Sequence, residues 1–576
     1  MNVNKINQAN NFRTRLTAPK IQRDWSALQL GNFGSGSGHM GKLYPIHFQE
    51  LTPGQRIKME QDVAIQFMPF VSNLFHQIDG EILNYFVPYR LLMDNKFEDW
   101  ENFITGGVDG QDNTQLPTIK VKDVATGSAE GLERAGGADT LWDLFGLPIV
   151  NNQTFATSDE EVLAFPFRAY NLIYNEHIRI PDFQEKVNLD SLKIQRGNWQ
   201  WDYFTRARIF QQRGVTPTVP LSSPEGEAAL EIMHEIQNGY WSADGEWLPN
   251  DKGNNPYNNP YSGIPVKNIP SSGEDIAFIG GGRIRGDTLV SYGGSEEDRE
   301  INTLVNGAGQ VRILPHKLEN LGNYGINLND FLQSLGIMRF QVNNAKIEAR
   351  YIDHLKVRWG VFPEDARLQR PEYLGSFNFN ITTEVVTQTT PGADGQTKQG
   401  HMTGQAWAAG RNGGTNYEAK EHGIVISMMI IRPKTVYEGG IERYWSKKTK
   451  FDFPTPELMN MPDRPILKKE LKFSGDKDED DAIFGYQGIY EEYRTSVNRV
   501  TGLLRPSANA GFASYTLARY FYSAPELNNE FIQCDPDEAR ILQYPEEPAF
   551  LFFTRTDIKE AIQLPIQSEP AELANV

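Results

Sequence analysis

The chain has 576 residues, and with 56 Lys and Arg against 74 Asp and Glu it carries a net charge of −18. Aromatic residues make up 11% of it, which disfavours a disordered chain, because disordered sequences are poor in aromatics. Its one cysteine, Cys534, excludes an internal disulfide framework and a cysteine-based zinc site. At about 150 residues per domain the length allows three or four domains, or one β-rich domain with long insertions.

The first 23 residues form a basic arm on an otherwise acidic chain. They contain no Asp or Glu and carry +5, which leaves −23 on the rest of the sequence. The charges belong to Lys5, Arg13, Arg15, Lys20 and Arg23. Such an arm is typical of proteins that contact nucleic-acid phosphates with one end. A solvated terminus, or a contact with a neighbouring subunit or another protein, remains an alternative.

The sequence predicts neither a secretory signal nor a membrane span. The first eight residues have no apolar segment of the kind that a signal peptide needs. The longest apolar run, residues 424–431, is interrupted by Ser427, whereas a membrane span needs about 20 apolar residues. We therefore expect a protein that is made in a cytoplasm and stays soluble.

Strand patterns are scattered along the chain, after a Gly- and Ser-rich stretch at residues 31–41. Two-residue alternation or short apolar runs predict strands at residues 57–67, 82–87, 377–388, 423–431 and 550–553. Helices are expected at residues 165–178 and from a cap at Asn329 towards Tyr351, with a stripe of Phe331, Leu332, Leu335 and Met338. Strands that lie hundreds of residues apart are typical of a β-sandwich with long excursions between its strands.

No motif in the chain supports catalysis. Residues 36–42 match the first seven positions of a phosphate-binding loop, but the eighth is Leu43 where a Mg²⁺-binding Ser or Thr is required. The acidic cluster Asp476, Asp478, Glu479, Asp480 and Asp481 lacks the Gly and Glu of a calcium loop, so a solvated loop is favoured over a cation site. The histidines show no metal-ligand spacing. The sequence predicts no enzyme, no metal site and no cofactor.

Eight motifs, in a fixed order, cover nearly the whole chain. They are residues 41–54 (GKLYPIHFQELTPG), 84–93 (NYFVPYRLLM), 167–176 (FRAYNLIYNE), 201–205 (WDYFT), 365–375 (DARLQRPEYLG), 432–437 (RPKTVY), 484–494 (FGYQGIYEEYR) and 502–505 (GLLR). Together they resemble the major capsid protein of the microviruses, small tailless phages with circular single-stranded DNA. The gokushovirus-like branch is the most similar.

The resemblance implies an all-β fold, one eight-stranded antiparallel jelly roll with long inter-strand loops and a few helices. It divides the chain into a basic arm (1–45), a first part of the core (46–220), an insertion (221–325) and a second part of the core (326–576). Prolines in the motifs would fix the entry and exit of strands, and these are Pro45, Pro53, Pro88 and Pro371. The Tyr and Arg residues of the motifs suit subunit interfaces.

In the family, an insertion like residues 221–325 forms a protrusion at the three-fold axes of the shell, where it is thought to meet the host. Its composition suits an exposed binding surface, since aromatic residues lie among Asn, Gly and Pro. The aromatic residues are Tyr240, Trp241, Trp247, Tyr257 and Tyr261. A structured spacer, or a clamp that only holds a trimer together, remains an alternative.

The resemblance implies a structural protein that self-assembles into a T=1 icosahedral shell around a circular single-stranded DNA genome. The implied partners are other copies of the chain, the genome, a scaffolding protein, a minor pilot protein and a host receptor. The implied location is the virion, assembled in the host cytoplasm. The alternative is a β-rich carbohydrate-binding or hydrolytic protein, which the tryptophans and acidic residues suggest and which would need a signal peptide and a cleft with paired carboxylates.

Overall fold

The structure, a computed structural model, describes residues 25–105, 114–126, 137–150, 153–214, 328–346, 364–387, 402–459 and 462–563, with short strands and isolated positions between them. It divides into two compact units, one of Met1–Gln211 with Asn344–Val576 and the other of Gln212–Asn343. The second unit includes the whole predicted insertion, residues 221–325, and extends beyond it on both sides. The basic residues 1–23 lie outside the described residues.

Nine antiparallel strands form the large sheet of the first unit. They are β1 (Ser26–Gly38), β2 (Leu43–Leu51), β3 (Arg56–Phe67), β4 (Ile78–Pro88), β5 (Glu372–Thr387), β6 (Met402–Arg411), β7 (Thr415–Glu418), β8 (Gly423–Pro433) and β9 (Phe550–Ile562). Their order is β1-β9-β3-β6-β5-β4-β8-β2, and the short β7 also pairs with β3. Without β7, the order gives two four-stranded halves, β1-β9-β3-β6 and β2-β8-β4-β5. This is the arrangement of a jelly roll, so the predicted fold class is confirmed.

Shorter elements lie in the loops of the first unit. Its small strand pairs are Thr118–Lys120 with Glu161–Leu163, and Arg464–Leu467 with Ile483–Gln487. Its helices are Phe97–Thr105, Val121–Thr126, Leu141–Leu144, Phe165–Ile173 with a π-helical continuation at Tyr174–Ile178, Lys477–Asp480 and Asn529–Ile532. Its 3-10 turns are Tyr89–Leu91, Gln153–Thr157, Arg443–Ser446, Lys450–Asp452, Pro456–Leu458, Lys468–Glu470, Glu491–Tyr493, Gly502–Leu504, Ala510–Tyr515 and Glu538–Arg540.

The second unit contains small antiparallel sheets and most of one long helix. The strands are Gly239–Trp241 with Trp247–Pro249, Ile276–Ala277 with Arg283–Arg285 and Thr288–Val290, and Asn302–Val305 with Val311–Leu314. The helix is Leu328–Ala345, whose last two residues belong to the first unit. This helix and the helix at 165–178 are both where the sequence predicted them. The helix at Leu328–Ala345, however, ends before Tyr351.

All five strands predicted from the sequence are present, as β3, β4, β5, β8 and β9, but β1, β2, β6 and β7 were not predicted. Residues 31–41 look like a linker because glycines alternate with serines, yet most of them pair with β9. A Cβ atom at Gly36 would lie 2.5 Å from the ring of Phe552, and one at Gly38 would lie 2.8 Å from the ring of Phe550. The glycines therefore make room for aromatic rings of the neighbouring strand. Strand β1 also lies within the range 1–45 that the sequence assigned to the arm.

Three of the four motif prolines stand where strands begin or end. Pro53 lies in the turn after β2, Pro88 is the last residue of β4, and Pro371 directly precedes β5. Pro45 is different, because it lies inside β2, beside an irregularity in the pairing of β2 with β8. Proline lacks the N–H that a regular ladder needs, and a bulge in an edge strand tolerates that loss.

The interior of the jelly roll contains two apolar clusters with a polar layer between them. One cluster includes Phe67, Ile82 and Met429, and the other includes Met59 and Phe86. Along β3, β4 and β8, one buried polar residue separates the two clusters, and these residues are Gln61, Asn84 and Ser427. Gln61 donates to Ser427 (2.9 Å) and accepts from Asn84 (3.1 Å). These hydrogen bonds link the two halves and offset the cost of burying amides.

The turn between β1 and β2 depends on a glycine. Gly41 has φ +81°, its N–H donates to the carbonyl of Ile431 (2.8 Å), and its own carbonyl accepts from Gly197 (2.8 Å). A Cβ atom there would overlap the carbonyl oxygen of Cys534. The position therefore needs glycine both for its backbone conformation and for the close approach of a second chain segment.

We expect Gly41→Ala to lower the free energy of unfolding of the subunit by about 3 kcal/mol or more, because strain and overlap add. Gly400→Ala is the matched control, since Gly400 has φ +86° with nothing within 4 Å of an added Cβ. That control should cost only about 1 kcal/mol. Urea unfolding, followed by circular dichroism, measures the free energy of unfolding of both variants. Equal losses of stability would show that the structure relieves the overlap between the new Cβ atom at position 41 and the carbonyl of Cys534.

A buried histidine gives the fold a defined sensitivity to acid. His47 is 6% exposed, and burial lowers its pKa to about 4 from an ordinary 6.5. Between these two pH values the unfolded chain binds a proton that the folded chain does not, so stability falls as the pH drops from 6.5 to 4. The loss is about 3 kcal/mol at most, and nothing is lost above pH 6.5.

We expect His47→Gln to remove that part of the acid sensitivity. Burial likewise lowers the pKa of His76 to about 4. The variant should therefore still lose stability through His76 as the pH drops. The measurement is the free energy of unfolding at pH 7 and at pH 4 for both proteins. The difference between the two pH values should be smaller in the variant, and an unchanged difference would contradict a neutral His47 in the folded state.

Candidate assembly surfaces

All three Tyr and Arg residues of the motif at 167–176 are buried within the subunit, contrary to the prediction that they suit subunit interfaces. Tyr170 donates to the carbonyl of Leu43 (2.9 Å), and burial raises the pKa of its hydroxyl. Arg168 contacts the carboxylates of Asp94 (2.6 Å) and Asp190 (3.0 Å). These residues attach loops to the jelly roll, because a buried polar group requires partners within the fold.

The long segment between β8 and β9 shares an apolar cluster with the segment between β4 and β5. The cluster includes Phe204 of the β4–β5 segment and Phe484 and Ile532 of the β8–β9 segment. Arg519 lies among aromatic rings, with its guanidinium 4.2 Å from the ring centre of Phe531 and 5.0 Å from that of Trp199. Such contacts are stronger when they are shielded from water. The loops are therefore packed structures that can present a fixed surface.

The two outer faces of the jelly roll differ in what covers them. The outward apolar residues of β2, β4 and β8, among them Leu43, Val87 and Ile426, pack under the helix at 165–173. The outward residues of β1, β9, β3 and β6, here called the open face, alternate with the core residues and are largely exposed. Among the described residues, one half of the jelly roll is thus covered by a helix and loops of its own chain, and the other half is not.

One end of the open face is apolar. Phe33 is 76% exposed, and its ring stacks on that of Phe553 with the centres 5.9 Å apart. Leu551 and Trp407 are also exposed, at 48% and 44%. Exposed apolar side chains that lie together on a sheet mark a surface that another molecule covers.

The other end of the open face contains ion pairs within and between its strands. Two lie within a strand, Arg555–Asp557 (3.0 Å) in β9 and Lys58–Glu60 (2.7 Å) in β3. Two join neighbouring strands, Arg411–Asp62 (3.4 Å) and Arg56–Glu418 (3.1 Å). Because the charges are balanced within the surface, the ion pairs do not repel a second copy of the same surface. An apolar patch beside a polar, charged border is the usual composition of a protein–protein interface.

A second exposed surface, here called the aromatic cluster, surrounds Lys447. It consists of Tyr444, Trp445, Phe451, Phe453 and Tyr493, which are all more than half exposed. The Lys447 ammonium lies 4.2 Å from the ring centre of Tyr493 and 5.3 Å from that of Phe453, while its side chain is only 8% exposed. A cation held among rings limits their movement, and such aromatic groups are enriched at the energetic centres of interfaces. Apart from the aromatic content of the chain, no sequence pattern predicted this cluster.

Of the residues that the sequence proposed as sites, the described part of the chain contains Tyr240, Trp241 and Trp247. Lys5, Arg13, Arg15, Lys20 and Arg23 lie outside the described residues, as do Tyr257 and Tyr261. In the second unit, Tyr240 pairs with Leu248 and Trp241 with Trp247, in a hairpin. These aromatic positions therefore lie on adjacent strands.

The acidic cluster at 476–481 and Cys534, which were candidates for chemistry, have structural contacts instead. Asp480 accepts from the backbone N–H of Ser474 (2.8 Å), and Asp481 pairs with Lys469 (2.6 Å). Burial raises the pKa of the Cys534 thiol to about 12, so the thiolate is disfavoured at neutral pH. Within the described ranges, no three His, Cys, Asp or Glu side chains lie close enough to hold a metal ion. None of the helices in these ranges is both long and apolar enough to cross a membrane.

A jelly roll with packed inter-strand loops and an open apolar face defines a structural, shell-forming type of β protein. The family model described as capsid protein (F protein) matches residues 15–572, so the chain belongs to that family of phage capsid proteins. It is a major capsid protein of the microvirus type, a component of the virion and not an enzyme.

Three curated relatives agree with this assignment. Capsid protein VP1 of Chlamydia phage 1 is 25% identical over 92% of this chain and 93% of its own length. Capsid protein VP1 of Bdellovibrio phage phiMH2K is 26% identical, with 90% and 91% covered. Capsid protein VP1 of Spiroplasma virus 4 is 24% identical, with 86% and 85% covered.

If the open face contacts a second copy, Phe553→Asp should lower the yield of particles at least tenfold while the subunit stays folded. The side chain is 45% exposed, so the free energy of unfolding should change by no more than about 1 kcal/mol. Phe553→Leu, which keeps an apolar group, is the control and should assemble normally. Particle yield by sucrose-gradient sedimentation is the measurement, and normal yield from the Asp variant would exclude this face as a contact.

Proposed function

We propose that the chain assembles into a T=1 icosahedral shell that encloses a circular single-stranded DNA genome. The observation that carries the proposal is a complete jelly roll whose open face is uncovered, in a chain that belongs to a phage capsid family. The burial of that face against other copies would supply much of the association free energy. Stable contacts of this kind bury about 1,200–2,000 Å² each.

The basic arm supports the proposed contact with the genome. Residues 1–23 carry +5 on a chain whose remainder carries −23, so this end of the sequence has a positive charge that contrasts with the rest. Cations of this kind bind phosphates and release counterions, which makes the contact dependent on salt. We place the arm inside the shell, near the DNA. A contact with a neighbouring subunit or with a scaffolding protein is the competing role.

The proposed insertion, residues 221–325, would face outwards and contact the host cell. Its support is the composition of the segment, in which Tyr and Trp lie among Asn, Gly and Pro, and the separation of Gln212–Asn343 as a unit of its own. Assembly in the host cytoplasm with a scaffolding protein and a minor pilot protein completes the proposal. These partners follow from the resemblance of the motifs to the microvirus capsid protein.

Electron microscopy of the purified protein, with a nuclease-protection assay of its DNA, tests this function. Uniform small icosahedral particles of T=1 architecture that protect circular single-stranded DNA are the expected result. Sheets, tubes or soluble monomers under all conditions that favour assembly would overturn the proposed shell. Empty particles from infected cells would overturn the enclosure of the genome alone.

Replacing Arg13, Arg15, Lys20 and Arg23 together by Ala should reduce the protected DNA per particle several-fold while shells still form. The reason is the loss of four cations that neutralise phosphates. The matched control exchanges Arg for Lys and Lys for Arg at the same positions, which keeps the charge. Normal DNA content in the Ala variant would exclude the arm as a genome contact, and loss of the shells themselves would favour a subunit contact.

A further inference from the structure

A concentration of positive charge coincides with the aromatic cluster. Residues 443–453 contain four cations and one acidic residue, on a chain whose net charge is −18. The cations are Arg443, Lys447, Lys448 and Lys450. They are interleaved along the chain with four rings of the cluster, which are Tyr444, Trp445, Phe451 and Phe453. Cations interleaved with exposed rings are typical of surfaces that bind single-stranded nucleic acid.

Two of these cations are available to an anionic partner. Arg443 is paired with Glu470 (3.0 Å), and the ammonium of Lys447 lies among the rings. Lys448 and Lys450 are exposed, and neither ammonium lies within 4 Å of a carboxylate in the described part of the chain. Covering them with an apolar surface would cost free energy, whereas phosphate oxygens would form charge-assisted hydrogen bonds with them. The charge of the surface therefore favours a phosphate-bearing ligand.

The rings of the cluster are exposed and yet held in place. Trp445 is 69% exposed and Tyr493 is 54% exposed, so both leave much of their surface to water. The hydroxyl of Tyr490 donates to the backbone carbonyls of Phe451 (2.9 Å) and Phe453 (3.0 Å), which fixes the turn that carries these two rings. Because the turn is ordered before a ligand arrives, binding costs little conformational entropy.

A cavity of about 310 Å³ lies beside the rings. Its lining includes Tyr444 and Tyr493 of the cluster and the polar side chains of Thr495 and Glu492. The Oε1 oxygen of Glu492 is buried and accepts no hydrogen bond from the described residues, and the ammonium of Lys447 is 3.8 Å away. A buried acceptor of this kind is costly unless a ligand donates to it, and the amino groups of nucleobases are suitable donors.

We propose that the aromatic cluster, together with Lys448 and Lys450, binds single-stranded DNA. Bases stack on the rings, and phosphates contact the two ammonium groups. Stacking requires unpaired bases but no particular base, because every base has an aromatic face, so the surface suits a single-stranded genome of any sequence. The contact is separate from the N-terminal arm. The inference rests on the proposed function, because the enclosed genome is the strand that this surface would meet.

The binding of a fluorescein-labelled single strand of about 15 nucleotides to unassembled full-length subunits tests the site, with fluorescence anisotropy as the measurement. Trp445→Ala should weaken binding about tenfold, because it removes a stacking ring. The matched control is Phe33→Ala on the open face, where a ring that is 76% exposed is removed and binding should not change.

The salt dependence of the same binding tests the two ammonium groups. Replacing Lys448 and Lys450 together by Gln should reduce the slope of log affinity against log salt concentration by about 1.4, since each neutralised phosphate contributes about 0.7 on a single strand. Lys559→Gln, at an exposed lysine of the open face, is the matched control and should leave the slope unchanged. A role in folding alone would not change this slope.

Unchanged affinity and salt slope in the cluster variants, with circular dichroism showing folded subunits, would overturn the site. Normal DNA binding together with a lower particle yield from Trp445→Ala would overturn it in favour of a contact between subunits. If the Ala variant does not fold, Trp445→Leu, which keeps an apolar group without an aromatic face, gives the same test. Absence of particles from the unmodified chain would instead overturn the proposed shell, because the binding measurement does not need one.

Discussion

A jelly roll has two outer faces, and a single chain must either cover each face or leave it for another molecule. In this protein the interior is filled by rings such as Phe550 and Phe552, which lie over the glycines of β1. One outer face lies under the helix at 165–173, in a cluster that includes Trp142 and Phe167. The other face, with Phe33 and Phe553, is exposed. In the described part of the chain one outer face is thus covered and the other is exposed, an asymmetry that suits a protein of the capsid family.

Rigid loops allow an exposed surface to form contacts with other subunits in one defined geometry. A surface can contact many neighbours in one geometry only if its loops do not rearrange, since ordering them would cost association free energy. Arg168 ties two loop carboxylates together, and Arg519 is fixed among aromatic rings of the segment between β8 and β9. The same principle applies to the aromatic cluster, where Lys447 limits the movement of exposed rings. Packing within the subunit therefore prepares the contacts between subunits.

The buried polar layer of Gln61, Asn84 and Ser427 has a different consequence. Its hydrogen bonds run between the two halves of the jelly roll, so they fix how the halves are aligned along the strands. An apolar interior would allow more ways of packing, because dispersion contacts have little direction. The neighbouring His47 is buried without charge, which ties the stability of the same region to pH. The interior thus determines both how the two halves are aligned and the pH range in which the fold is stable.

The sequence by itself determined the class of fold, the position of five main strands and two helices, and the capsid family, because alternating apolar residues and long motifs are local patterns. It could not reveal β1, since Gly36 and Gly38 acquire a role only when the rings of β9 lie over them. Nor could it separate Tyr170, which is buried, from Tyr493, which is exposed, because both occur in similar motifs. The open face and the aromatic cluster likewise join residues from distant parts of the chain. Burial and proximity are properties of the folded chain, so only the tertiary structure decided which side chains are left for another molecule.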